Sequence, residues 1–144
     1  MPSSPESVLI VAAEASSALY AQRILEEWNS RGKEVHAFGV GSEAMEKLGF
    51  ERVGKSEEMA VVGLTEIISH WSIIKDCFDK LIELATERRP KFILLLDYPE
   101  FNMKLAKKLK SLGIPIVYYI SPQIWAWRQS RVHKIRKLVD HMLV

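Results

Sequence analysis

The chain has 144 residues, a length that suits one domain over residues 1–144 with a single hydrophobic core. Hydrophobic residues make up 48% and charged residues 26%, which excludes a disordered chain and a protein built from membrane-spanning helices. The formal net charge of +2 is too small for the broad positive field of a nucleic-acid-binding protein, so we expect no nucleic-acid partner.

The amino-terminal part predicts a strand followed by a helix. Residues 1–6 have no basic cluster, and the apolar run after them is far shorter than the roughly 20 residues that span a bilayer, so we expect a cytoplasmic protein. Val8 to Ala13 consists of β-branched and small apolar residues, as in a central parallel strand. The apolar stripe from Ser16 to Arg31 predicts a helix that ends at Gly32.

The middle of the chain continues this alternation. Glu34 to Val40 and Phe50 to Val53 are predicted strands, and a short helix is predicted between them from Glu43 to Leu48. Apolar residues at spacings of three and four predict a long helix from Leu64 to Ala85. Its Cys77 is the only cysteine and cannot form an internal disulfide, so we expect a buried thiol in a reducing compartment.

The last third of the chain repeats the pattern. Its predicted elements are a strand at Phe92 to Leu96, a helix from Pro99 to Leu112 ended by Gly113, a strand at Pro115 to Ile120, a helix near Arg128 to Leu138 and an apolar run that begins at Met142. Alternating strands and helices predict a doubly wound α/β fold, in which helices cover both faces of a parallel sheet.

Ligands of such sheets bind beyond the carboxyl ends of the strands. The loops expected to carry site residues are therefore Ala13 to Ala18, Gly39 to Ser42, Asp97 to Asn102 and Ser121 to Arg128. In the first of these loops, the free N–H groups at the start of a helix could hold an anion or sugar hydroxyls. Ser16 or Ser17 could instead cap that helix. The loop lacks the G-x-G-x-x-G pattern, which speaks against a dehydrogenase.

The loop from Asp97 to Asn102 places two carboxylates beside a helix start. Asp97 ends an apolar strand, where a carboxylate can be held ionised as a general base, and Glu100 lies in the first turn of the helix. Asp97 could alternatively act only as a helix cap, which Pro99 at a first helical position supports. Asn102 could donate hydrogen bonds to a ligand or face the solvent.

The loop from Ser121 to Arg128 is the most unusual segment of the sequence. Trp125 and Trp127 would share one face of an extended segment and could form an aromatic wall, or they could seal the core. The basic stretch from Arg128 to Lys137 could meet phosphate or anionic lipid, or could be a solvated helix face.

An apolar stretch outside the strand pattern runs from Met59 to Leu64. It could pack in the core, or it could be an exposed patch for acyl chains or a membrane surface.

These segments resemble the lipid-A-disaccharide synthase family over essentially the whole chain. Residues 97–102 are similar to the family's Asp-x-Pro-Asp-Phe-Asn, with Glu100 in place of its second aspartate, and residues 121–128 match its Ser-Pro-x-x-Trp-Ala-Trp-Arg. Residues 57–64 resemble the family's Glu-x-Ala-Val-Met-Gly segment. The tryptophan motif is a very specific one.

The resemblance implies the Rossmann-like amino-terminal half of a two-Rossmann-domain (GT-B) glycosyltransferase that inverts the anomeric centre and uses no metal ion or other cofactor. The enzyme would join UDP-2,3-diacylglucosamine to 2,3-diacylglucosamine 1-phosphate in lipid A biosynthesis and release UDP. It would work as a peripheral protein on the inner face of the inner membrane of a Gram-negative bacterium.

The resemblance also implies roles for individual residues. Asp97 would be the catalytic carboxylate, and the substrate-binding residues would be Glu14, Ser16, Asn102, Ser121, Gln123, Trp125, Trp127 and Arg128. The residues in contact with acyl chains or the membrane would be Met59, Val61, Val62 and Leu64.

The first loop departs from the family's Gly-Glu-x-Ser-Gly-Asp, because Ala13, Ser17 and Ala18 replace the two glycines and the aspartate. Glycine lets the backbone approach a ligand closely, so a catalytically silent lipid- or sugar-binding module or remnant stays open as an alternative. The family is more than twice as long as this chain, and donor binding is therefore expected in a missing or separate carboxy-terminal domain. The sheet edge after His141 could also pair with another chain, which would give self-association.

Overall fold

The computed structural model describes residues 6–59, 71–119 and 140–143, and these build a six-stranded parallel sheet with helices on both faces. The strands are β1 (Glu6–Ala12), β2 (Val35–Gly41), β3 (Glu51–Lys55), β4 (Phe92–Leu96), β5 (Ile116–Tyr119) and β6 (His141–Leu143). The helices are α1 (Ala15–Ser30), α2 (Glu43–Lys47), α3 (Trp71–Arg88) and α4 (Pro99–Leu109), and a 3₁₀ turn at Lys110–Leu112 continues α4. Residues 56–59 are also helical.

The strand order is β3-β2-β1-β4-β5-β6, and every neighbouring pair is parallel. The chain builds outward in one direction from β1 to β3, returns to the centre, and builds outward in the other direction from β4 to β6. This order confirms the predicted doubly wound α/β fold in its Rossmann-like form. It also places β1 and β4 next to each other at the centre of the sheet.

The two faces of the sheet have separate cores because successive strand residues point to opposite sides. In β1, Leu9 and Val11 pack with buried side chains of α3 and α4, whereas Val8, Ile10 and Ala12 pack with those of α1 and α2. The same alternation continues in β5, where Tyr118 lies on the α3–α4 face and Tyr119 on the α1 face. Both faces of the central strands are therefore dry, as the unbroken apolar runs predict.

Most predicted boundaries are confirmed to within one or two residues. Gly32 and Gly113 have φ values of 67° and 72°, so each supplies the left-handed residue that ends its helix. The helix predicted to end at Ala85 runs on to Arg88, and its predicted first residues from Leu64 lie outside the described part of the chain. The helix predicted near residues 128–138 lies outside it as well.

Cys77 confirms the prediction of a buried thiol. It lies on α3, is 7% exposed and faces β3, where a Cβ at Gly54 would lie 2.6 Å from its Sγ. Burial, followed by the charge of Glu58, raises the pKa of the Cys77 thiol to about 12. The thiol is therefore a neutral packing group against a glycine that leaves room for it.

Candidate functional site

The candidate site lies where the strand order reverses, at the carboxyl ends of β1 and β4. Ala12, the last residue of β1, pairs with Leu96, the last residue of β4. Glu14 and Asp97 follow these two strand ends. Parallel sheets bind ligands in the crevice at this reversal point, so the topology brings two of the predicted site carboxylates to the edge where a ligand would bind.

The turn between β4 and α4 has an unusual backbone. Asp97 and Tyr98 adopt φ values of 45° and 50°, a left-handed conformation that costs non-glycine residues about 1–3 kcal/mol each. Three hydrogen bonds hold Asp97 in this conformation: its N–H donates to the Tyr119 carbonyl (2.9 Å), and its carbonyl accepts from the Tyr118 hydroxyl (2.6 Å) and from Asn102 Nδ2 (2.7 Å). The surrounding structure thus fixes the backbone of Asp97.

Asp97 is 3% exposed, and the residue at the N-cap of α4 is Tyr98, whose side chain makes no capping hydrogen bond. Pro99 occupies the first helical position, where its missing N–H costs nothing. Asp97 therefore does not occupy the N-cap position, as it would if it acted only as a helix cap. It lies one residue before the cap, at the amino end of α4.

Asn102 is fully buried on α4 and faces the turn rather than the solvent. Its Nδ2 donates to the carbonyl oxygens of Leu96 (3.3 Å) and Asp97 (2.7 Å), while its Oδ1 has no hydrogen-bond partner among the described residues. The prediction of a solvent-facing Asn102 is wrong. Its predicted contact with a substrate would need the turn to open, because the side chain is enclosed and its amide nitrogen holds the backbone that positions Asp97.

Glu14 occupies the N-cap of α1, but its side chain makes no capping hydrogen bond. The alternative in which Ser16 or Ser17 is the cap is therefore wrong, because α1 begins earlier, at Ala15. Ser16 is exposed at the second helical position, whereas Ser17 is fully buried and its Oγ has no partner within the described residues. Of the two serines, only Ser16 is exposed to the solvent.

The two carboxylates interact electrostatically. Burial raises the pKa of Glu14, and the charge of Asp97 raises it further. Both side chains lie near the amino ends of helices, α1 for Glu14 and α4 for Asp97, and carboxylates accept hydrogen bonds from hydroxyl groups. Such a pair of carboxylates can accept a hydrogen bond from a hydroxyl group.

Three tyrosines adjoin Asp97, namely Tyr98, Tyr118 and Tyr119, and Tyr20 packs against Tyr119; none of the four was predicted as a site residue. Tyr118 holds the Asp97 carbonyl, and Tyr98 donates its hydroxyl to the Met59 carbonyl (2.9 Å) on the α3–α4 face. Tyr20 and Tyr119 form an aromatic pair on the α1 face, with ring centroids 5.3 Å apart. The predicted strand from Pro115 to Ile120 contained a usable signal, since two adjacent tyrosines near its carboxyl end must point to opposite faces at the site edge.

Burial raises the pKa of Tyr98, and the negative charge of Glu14 acts in the same direction. For Tyr119, burial comes first, then the hydrogen bond and charge of Tyr20, then the charge of Asp97, and all raise the pKa. Both phenols are therefore neutral hydrogen-bonding groups at physiological pH.

The apolar stretch that begins at Met59 is described only at its first residue. Met59 is 1% exposed and packs in the α3–α4 core, so for this side chain core packing is correct and contact with acyl chains or a membrane is not. The other predicted contact residues, Val61, Val62 and Leu64, lie outside the described residues. The predicted substrate-binding residues of the tryptophan loop also lie outside them, namely Ser121, Gln123, Trp125, Trp127 and Arg128.

Residues 6–59, 71–119 and 140–143 contain no group of three or more His, Cys, Asp or Glu side chains that could hold a metal ion. Within the same residues, every helix is too short or too polar to cross a bilayer.

Comparison with known proteins gives one consistent family. A family model described as Lipid-A-disaccharide synthetase matches residues 8–144. The lipid-A-disaccharide synthase of Trichlorobacter lovleyi is 44% identical over 140 residues, which cover 97% of this chain and 37% of the relative. The lipid-A-disaccharide synthase of Anaeromyxobacter sp. (strain K) is 45% identical over 142 residues, which cover 99% of this chain and 37% of the relative. The lipid-A-disaccharide synthase of Nitrosococcus oceani is 43% identical over 144 residues, which cover 100% of this chain and 37% of the relative. The chain thus spans little more than a third of the length of these curated relatives.

Proposed function

The chain belongs to the lipid-A-disaccharide synthase family, and we propose that it forms the acceptor-side half of a glycosyltransferase of lipid A biosynthesis. The proposed reaction transfers 2,3-diacylglucosamine from its UDP donor to 2,3-diacylglucosamine 1-phosphate. The observation that carries the proposal for this chain is the position of Asp97. A buried carboxylate stands at the reversal point of the sheet, in a strained turn that the surrounding side chains hold in place.

In the proposed mechanism, Asp97 takes the proton from the attacking hydroxyl of the acceptor. The new bond forms between that oxygen and the anomeric carbon of the donor sugar, while the bond to UDP breaks on the opposite face. Catalysis by a base requires a carboxylate that is held in position, and the hydrogen bonds that fix the turn support this requirement. Glu14 and the exposed Ser16 would bind sugar hydroxyls on the other side of the crevice.

The parts of the reaction beyond this crevice are proposed from the family. Donor binding is assigned to a carboxy-terminal domain, as part of the same GT-B enzyme or as a separate partner. The tryptophan loop, from Ser121 to Arg128, is assigned to substrate binding, and Val61, Val62 and Leu64 to acyl or membrane contact. The complete enzyme would act as a peripheral protein at the cytoplasmic face of the inner membrane.

A second candidate is a lipid- or sugar-binding module without catalytic activity. The observation in its favour is the first loop, where Ser17 and Ala18 replace a glycine and an aspartate of the family pattern. Ser17 buries a hydroxyl that lacks a partner among the described residues, so this loop has not gained an evident compensating interaction. Turnover separates the two candidates.

The experiment measures UDP release from donor and acceptor by this chain mixed with the carboxy-terminal domain of the Trichlorobacter lovleyi relative. We expect turnover that falls about 10²- to 10⁴-fold in Asp97→Asn, because the amide cannot accept the proton. Asp79→Asn is the matched control, since Asp79 is an exposed aspartate of α3 that pairs with Lys75. Its turnover should match that of the unmodified chain.

Two results would count against the enzyme. Equal turnover of Asp97→Asn and Asp79→Asn would remove Asp97 from the mechanism. Acceptor binding without turnover, in a mixture where both parts are folded by circular dichroism, would favour the silent module.

A further inference from the structure

An exposed aromatic side chain stands on the α1 side of the candidate site. Tyr20 lies on the second turn of α1 and is 42% exposed, although large apolar and aromatic side chains are usually more buried. Its ring packs against that of Tyr119, with centroids 5.3 Å apart and the planes tilted by 55°. Tyr20 is thereby fixed in position while much of its ring remains open.

The partner ring connects Tyr20 to the candidate base. Tyr119 is the last residue of β5, and its carbonyl oxygen accepts the hydrogen bond from the Asp97 N–H. Its side chain is half-buried on the α1 face, the same face from which the first turns of α1 approach the crevice. The aromatic pair is therefore attached to the same strand end that positions Asp97, on the side opposite Tyr98 and Met59.

The chemistry of the Tyr20–Tyr119 pair suits a sugar ring better than an acyl chain. A tyrosine ring offers an apolar face and a polar hydroxyl, which match the C–H face and the hydroxyl edge of a pyranose. Asp97 is close enough to Tyr119 to act on it electrostatically, Asp97 acts in the same way on Glu14, and Ser16 lies one helical turn before Tyr20 on α1. These groups add hydrogen-bond acceptors and a hydroxyl, which an acyl chain could not pair. Ligand sites typically combine apolar walls with a few such polar groups.

We propose that Tyr20 and Tyr119 form an aromatic platform on which the glucosamine ring of the acceptor stacks beside Asp97. The proposal rests on the proposed function for the identity of the sugar, and it assigns Tyr20 as a substrate-binding residue. The hydroxyl of Tyr20 contributes less than its ring, because the open face of the ring is the surface on which the sugar lies.

The test uses glucosamine 1-phosphate, a soluble probe without acyl chains, titrated into the unmodified 144-residue chain and followed by NMR. Tyr20→Leu keeps an apolar side chain but removes the aromatic face, and we expect it to raise the dissociation constant about tenfold. Tyr20→Phe keeps the ring and should change the constant less than about twofold. Ile73→Ala is the matched control, because Ile73 is 39% exposed on α3, and it should have no effect.

The outcomes separate this proposal from the proposed function. Equal affinities of Tyr20→Leu and Tyr20→Phe would overturn the platform, and so would a lack of binding by the unmodified chain. In both cases the dependence of turnover on Asp97 in the complemented mixture still decides the proposed function by itself. Because Tyr20 is exposed, its variants should fold, and their amide NMR spectra will check this.

Discussion

The two loops that meet at the reversal point are built in opposite ways. In the turn between β4 and α4, Asp97 is buried and its backbone N–H and carbonyl are both hydrogen-bonded, the carbonyl to Tyr118 and Asn102. In the loop between β1 and α1, Glu14 is only partly buried and caps nothing with its side chain, and Ser16 is exposed. The turn between β4 and α4 fixes a carboxylate in place, whereas the loop between β1 and α1 presents groups to the solvent.

This difference fits a division of work at the site. A general base must stand within hydrogen-bond reach of one particular proton, so its position has to be held by the surrounding side chains. Groups proposed to bind sugar hydroxyls must be reachable from the solvent, which agrees with the exposure of Ser16 and the partial exposure of Glu14. The segment around Asp97 differs from the family motif only at Glu100, whereas the loop between β1 and α1 differs from its family pattern at three positions, Ala13, Ser17 and Ala18.

The largest expected effect breaks the fixed turn. Asn102→Asp replaces the buried amide donor with a carboxylate that faces the carbonyl oxygens of Leu96 and Asp97. We expect it to lower the free energy of unfolding by about 3 kcal/mol, because the two carbonyl oxygens would lose their donor and would face a buried charge instead. Asn102→Ala also removes the unpaired Oδ1 and should cost less, about 2 kcal/mol. Urea denaturation measures both values.

The matched control is Asn29→Asp. Asn29 is exposed, and its Nδ2 makes only a long hydrogen bond (3.4 Å) to the Leu48 carbonyl. Its substitution should change the free energy of unfolding by less than about 0.5 kcal/mol. If Asn102→Asp and Asn29→Asp unfolded at the same urea concentration, the amide of Asn102 would not be what holds the turn.

The sequence predicts the fold and the location of the site, but not the way that the site is held. The apolar runs identify the strands because buried parallel strands need side chains that are apolar on both faces, and Gly32 and Gly113 mark helix ends because they accept a positive φ. Asp97 could be placed at the site because a residue that directly follows a parallel strand lies at its carboxyl end. These are local properties of the sequence.

The supporting contacts depend on distant parts of the chain. Asn102 appears in the sequence as an ordinary polar residue near a helix start, and its contact with the Leu96 and Asp97 carbonyls exists only because two successive residues adopt a left-handed turn. Tyr20 meets Tyr119 only once the order of the sheet brings α1 over the end of β5. No short sequence pattern indicates such contacts, and among the tyrosines only the adjacent Tyr118 and Tyr119 left a signal in the sequence.

A smaller effect, of opposite sign, is expected in the open loop. Ser17→Ala removes a buried hydroxyl that has no partner among the described residues, so it should raise the free energy of unfolding by about 1 kcal/mol. Ser16→Ala shares the gain in helix propensity but removes an exposed hydroxyl, so the difference between the two variants isolates the buried group. Thermal and urea unfolding would measure it. Destabilisation by Ser17→Ala would mean that the hydroxyl forms an interaction in solution.

The smallest expected effect concerns Glu14, and it tests whether the two loops act on each other. The folded state raises the pKa of Glu14 through burial and through the charge of Asp97. As the pH rises, the unfolded chain therefore loses this proton first, near the ordinary value of 4.5, while the folded chain still holds it. Stability falls between these two pKa values and stays lower above them.

Glu14→Gln removes this loss, so the variant should be more stable than the unmodified chain at neutral pH, by a few tenths of a kcal/mol since Glu14 is partly exposed. The advantage should shrink as the pH falls toward about 4, where the carboxyl is protonated in both states. Because the charge of Asp97 is the second cause, the advantage should also be smaller when both variants carry Asp97→Asn. Unfolding free energies measured from about pH 4 to 7 give this double-mutant comparison. An advantage that Asp97→Asn leaves unchanged would show that burial alone acts on Glu14, and that the fixed and the open loop are electrostatically independent.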